Sequence, residues 1–206
     1  MIKEVFKTKI ENNLDLVVDI IDAYFSHNYT KQFKERSDAV DLLLVRNKGV
    51  MEVGGDQVYV GDEAVCVKGK ETSLIFPISF LEEKYGNVIF VHLVLHALFN
   101  DSLKEKYGTL YEVFVDYMAN DIAKILEKKN VNVTLEKNPE YESNSVYSNC
   151  FDCVRDFCEE NKRELVDGLV VGDASLIEGI DKLSFIVENI VDALVYEDID
   201  EKKFKR

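Results

Sequence analysis

Residues 88–99, "VIFVHLVLHALF", contain two histidines four apart and are otherwise apolar throughout. A helix that is apolar on every side has no face to offer water, so this segment has to lie inside a core with other elements around it. The rest of the chain must supply those elements. With 206 residues, 47% hydrophobic and 31% charged, it has the length and balance of a soluble globular protein with a sizeable core.

Upstream, Ile10, Leu14, Val17, Val18, Ile21, Tyr24 and Phe25 recur at spacings of three and four, which predicts one amphipathic helix. After residue 38 the pattern changes to short β-type runs broken by turn residues: "AVDLLLVR", "VMEV", "QVYVG", "AVCVK" and "SLIF", with "GGD" as a turn. These predict an antiparallel meander of four or five strands. Downstream of the histidine segment, "LYEVFVDYMANDIAKILEKKN" has helical periodicity, "VNVTLE" is strand-like, and "KNPEYESNSVYSN" is a surface loop or linker.

"CFDCVRDFCEENKRELV" is helical in pattern and "DGLVVGD" suits a short strand or turn. Ser175 followed three residues later by Glu178 predicts a capping box opening the last helix, whose buried stripe would include Leu176, Ile180, Leu183, Ile190, Val191 and Leu194. The expected fold is α+β: an N-terminal helix, a small antiparallel sheet over about residues 39–76 covered by helices, and an acidic helical C-terminal part. Residues 1–137 would form the core domain and residues 145–206 an acidic helical subdomain, or a further part of the same domain.

Histidines four apart on a helix share one face, with β-carbons roughly 5 to 6 Å apart, which lets both rings approach one ion. The motif "HLVLH", followed sixteen residues later by Glu112 and then by Asp116, resembles the zincin metallopeptidases, whose active-site helix carries H-E-x-x-H and whose next helix supplies a third ligand. The resemblance implies metal ligation by His92, His96 and Glu112, with zinc as the cofactor. It also implies a metal-dependent hydrolase or an inactive descendant of one. Leu93 occupies the position of the glutamate that would act as general base on metal-bound water, so a working peptidase is not expected. The same spacing also suits two core histidines that bond Tyr111, Glu112, Asp116 or a backbone carbonyl, because an unpaired buried ring would cost about 1 to 3 kcal/mol.

Cys150, Cys153 and Cys158 form a C-x-x-C with a third cysteine five residues on, but no second pair follows and a zinc ribbon is not indicated. Cys66 or His27 would complete a ligand set only if folding brought them close. The bland expectation is reduced cysteines packed as small hydrophobes. No phosphate loop and no nucleophile elbow is present.

The net charge of −14 is unevenly placed: residues 140–201 contain seventeen Asp and Glu against four Lys and Arg. Such a field repels phosphates, which disfavours direct nucleic-acid binding. It suits instead a basic or nucleic-acid-binding protein partner, bound by a non-enzymatic binding or inhibitor-type protein or by a carboxylate mimic of nucleic acid. Glu197, Asp198, Asp200 and Glu201 are the expected interface, ahead of the basic ending "KKFKR". "MIKEVFKTKI" lacks the apolar core of a secretory signal and no run reaches the length of a membrane span, so a cytoplasmic protein without a membrane partner is expected. Self-association stays open.

Overall fold

The computed structural model describes residues 2–46, 48–134, 146–173, 175 and 177–204, with the side chains of residues 2–6, 146 and 196–204 left aside. The fold is α+β, and it divides into two compact units. One comprises residues 1–98 and 118–141, the other residues 99–117 and 142–206.

The first unit opens with α1 (Ile2–Tyr24), whose expected stripe is buried at Ile10, Leu14, Val17, Val18 and Ile21. The chain reverses through Ser26 and His27, both at φ near +60°, a left-handed conformation that side-chain bonding has to support. Asp22 provides that support: its Oδ2 accepts from Thr30 Oγ1 at 2.6 Å and lies 2.9 Å from His27 Nδ1. Helix α2 (Thr30–Asp38) then docks through Phe33, and Arg36 donates to the Leu98 carbonyl.

Five strands follow: β1 (Val40–Val45), β2 (Gly49–Val53), β3 (Asp56–Val60), β4 (Val65–Lys68) and β5 (Thr72–Pro77). Strands β2 and β3 pair only with each other, closed by Gly54 and Gly55 at φ +60° and +94°, the positive angles that a two-residue hairpin turn requires. The other three form a sheet in the order β1-β5-β4. Here the expected all-antiparallel meander is corrected. β4 is antiparallel to β5, but β1 runs parallel to β5, with Val40 opposite Thr72 and Val45 opposite Pro77. The hairpin leaves the sheet, and β5 inserts between the first and fourth strands; alternation sets which face a side chain takes but not its neighbouring strand.

Central β5 is buried from Ser73 to Phe76 on both faces. Ile75 packs with Val53 and Val60 of the hairpin, while the Phe76 ring lies 5.7 Å from Phe90 on the opposite face. Phe90 belongs to α3 (Gly86–Leu98), which is buried almost throughout, as its sequence requires. Its entry is tied down at both polar groups of Asn87: Nδ2 donates to the Val131 carbonyl and Oδ1 accepts from the Val133 amide, each at 2.9 Å. Residues 131–134 are therefore irregular rather than the expected strand, and Leu135 and Glu136 lie outside the described residues.

The second unit contains α4 (Ser102–Lys106), the first half of α5 (Gly108–Lys128), α6 (Phe151–Glu160), α7 (Lys162–Val171) and α8 (Ile180–Phe204). Helix α5 is one continuous helix that runs through both units. Phe114 of α5 stacks on Phe157 of α6 at 6.0 Å, and the Tyr107 hydroxyl donates to Asp181 at 2.7 Å. "DGLVVGD" is not a strand or a mere turn: α7 occupies most of it and ends on Gly172 at φ +90°. The expected capping box does not form. Ser175 donates its amide to Asp173 Oδ1 in a local turn, and α8 begins only at Ile180 after Gly179 at φ +80°. Of its expected stripe, Ile180 and Leu183 are buried, Ile190, Val191 and Leu194 are half-buried, and Leu176 is outside the described residues. No helix among the described residues is long and apolar enough to cross a membrane.

Candidate metal centre

Helix α3 has no polar face, so its two histidines are held by apolar neighbours on either side: Val91, Leu93, Val94 and Leu95 are all buried. His96 is 8% exposed and His92 half-buried. Their ring centroids lie 4.6 Å apart and their Nε2 atoms 2.9 Å apart. At that separation one ring donates an N–H to the lone pair of the other, or both lone pairs face a shared ion. Both arrangements use the same atoms, so the second requires only that the Nε2 proton move.

The distance itself fits coordination. Two nitrogens 2.9 Å apart, each about 2.05 Å from an ion, subtend an angle of about 90°, and tetrahedral ligands at that bond length stand about 3.3 Å apart. The nitrogens stand at the 90° separation and a few tenths of an ångström short of the tetrahedral one. Leu93, by contrast, is 6% exposed and has no acid–base function to give.

Glu112 lies on α5, half-buried, one helical turn before Asp116. Glu112 offers the carboxylate that the sequence pairs with the two histidines. Asp116 is 6% exposed and Tyr111 1% exposed.

Two residues that the sequence did not single out surround Glu112. Lys104 places Nζ 3.0 Å from Glu112 Oε1 and 5.8 Å from the centre of the Tyr111 ring. Burial first, and then the charges of Glu112 and Asp116, hold the Tyr147 phenol above its ordinary range, against an opposing effect from Lys104. Neither residue announces itself, because eight residues separate Lys104 from Glu112 and thirty-five separate Tyr147, and only folding sets those distances.

The cysteines divide differently. Cys150 is buried, and Cys153 donates its thiol to the Cys150 carbonyl at 2.9 Å. Burial, with the neighbouring Cys153, pushes the Cys150 thiol up to about 11, and burial raises Cys153 as well. That direction disfavours the thiolate, the form that acts as nucleophile or metal ligand, at both positions. Neither Cys66 nor His27 completes a ligand group with them among the described residues. The side chains of Glu197, Asp198, Asp200 and Glu201 lie outside the described residues. Compared with protein families, curated proteins and solved structures, the chain matches no family model, no curated protein and no solved structure.

Proposed function

We propose that this chain is a metal-binding protein that takes one divalent transition-metal ion, zinc in the first instance, through His92, His96 and Glu112. The observation that carries the reading is the approach of the His92 and His96 Nε2 atoms to 2.9 Å on helix α3. The donor set of two imidazoles and a carboxylate is borderline in softness and suits zinc over calcium or magnesium. With Leu93 in place of a base, the ion would act as a cross-link or as an electrostatic anchor for a ligand rather than in peptide hydrolysis. The test is metal analysis of the purified protein after dialysis, alongside His92→Ala and Glu112→Gln variants. One equivalent of zinc in the native chain, lost in both variants, is the expected result. A metal-free native chain that takes up no added zinc would remove the site.

A second reading is favoured by a separate observation. The acidic residues of the C-terminal third include Asp156, Glu159, Glu160, Glu164, Asp181, Glu188 and Asp192, all on exposed positions of α6, α7 and α8. That surface supports binding of a basic protein partner, whether by an inhibitor-type protein or by a mimic of nucleic acid.

A further inference from the structure

The reading of the acidic C-terminal third as a partner surface leaves open where a partner would grip. Charge alone steers an encounter but gives little affinity without an apolar anchor. Helix α8 supplies one. Its inward face is complete, with Leu183, Ser184 and Val187 buried, yet Phe185 is 68% exposed and Ile186 39%. Bulky apolar side chains at adjacent exposed positions are not needed to hold α8 in place.

Ile186 stands at a groove. Phe157 of α6 and Leu183 and Ile186 of α8 line an open depression of about 400 Å³, large enough for a bulky side chain or two. Glu160, at the end of α6, and Glu178, in the turn before α8, carry the acid on its rim, with Lys182 as the one cation there. Beyond the rim, α6 exposes Asp156 and Glu159 as well, and its Arg155 is already engaged with Asp152 at 2.8 Å. The turn is fixed by Gly179 at φ +80°, and Asn161 Nδ2 donates to the Phe157 carbonyl at 3.1 Å, so the end of α6 beside the groove is held in position.

We propose that this groove holds a basic amphipathic helix of a partner protein, with one apolar side chain seated against Phe157, Leu183 and Ile186 and Lys or Arg residues facing Glu160 and Glu178. This inference rests on the acidic-surface reading and assigns it a place. Charge decides among the occupants. A second copy in a two-fold contact would set Glu160 and Glu178 against acidic residues of its own kind. An anionic membrane or a nucleic acid would be repelled in the same way. A helix with its apolar residues at i, i+3, i+4 and i+7 and basic residues alongside matches both the floor and the rim.

The test uses the full chain and a fluorescein-labelled 18-residue peptide of Leu and Lys in that amphipathic pattern, with a scrambled peptide of the same composition as control. The patterned peptide is expected to bind at least tenfold more tightly than the scrambled one. Ile186→Asp and the double variant Glu160→Lys/Glu178→Lys, each checked for native circular dichroism, should weaken it at least tenfold. Unchanged affinity in both variants overturns the groove. If neutralising Glu197, Asp198, Asp200 and Glu201 abolishes binding while the groove variants do not, the acidic-surface reading stands and the groove falls. If the patterned peptide binds no better than the scrambled one, both fall. A dimer in light scattering that Ile186→Asp dissolves would assign the face to a second copy and overturn the proposal.

Discussion

Lys104 is the residue with the most direct hold on Glu112, because it already neutralises the carboxylate that the proposed ion would need. An ion that takes the Glu112 carboxylate has to compete with an ammonium 3.0 Å from Oε1, or share the carboxylate with it. The Lys104 side chain is 48% exposed, so the competition is screened and amounts to about 1 kcal/mol or less. Lys104→Met is therefore expected to tighten zinc binding by up to about fivefold in a chelator-competition titration. Weaker binding would mean that Lys104 positions Glu112 rather than competes for it. A second residue-scale expectation concerns Cys150, whose thiol is raised in the fold to about 11. The folded state holds that proton more tightly than the unfolded chain, so the contribution to stability is full below about pH 9 and is lost as pH rises through about 11. Denaturant titrations of the native chain and of Cys150→Ala should show a stability difference that is constant below pH 9 and narrows above it by about 2 kcal/mol. A difference that stays constant to pH 11 contradicts the assignment.

At the scale of elements, α3 decides most of the first unit. It offers apolar side chains in every direction, and the sheet, α1 and α2 all pack on it. Its first residue has no room for a side chain: a Cβ on Gly86 would stand 2.9 Å from Thr134 Cβ and closer still to its Cγ2 methyl. Gly86→Ala should therefore force residues 131–134 outward and disturb the paired Asn87 bonds, costing about 2 to 4 kcal/mol in equilibrium unfolding. Adding Thr134→Ala, which removes the nearest methyl, should recover part of that loss. Full stability in Gly86→Ala alone would show that the close approach is relaxed in solution. The element level is also where sequence reading succeeded and failed most plainly. The stripe of α1, the "GG" hairpin turn and the burial of α3 follow from local periodicity and turn chemistry. The β1–β5 pairing and the end of α7 do not, because parallel pairing and the helix over "DGLVV" depend on partners far away in the chain. Ser175 and Glu178 have the spacing of a capping box, yet Asp173 takes the Ser175 amide first and Gly179 sets the true start of α8.

For the whole molecule, a bound ion and the unfolding equilibrium are linked. An ion that binds the native state alone adds about 2.7 kcal/mol at a free concentration one hundred times its dissociation constant. For a chain of this length that is a rise of roughly 5 to 10 °C in the melting midpoint. Native protein should show such a rise with zinc and none with magnesium, and His96→Ala should show neither. An equal rise in His96→Ala would place the zinc elsewhere. The uneven charge also acts at this scale, since seventeen acidic residues between positions 140 and 201 set the sign of the field a partner meets.

The sequence by itself determined the α+β class, the core role of residues 88–99 and the concentration of acid in the C-terminal third. These depend on local periodicity, turn residues and composition, which need no knowledge of distant contacts. It also placed His92 and His96 on one helical face, because four residues are about one turn. Only the tertiary structure decided that β5 lies between β1 and β4 and that Lys104 pairs with Glu112. Each of those depends on which side chains meet across the fold, and no spacing along the chain contains that distance.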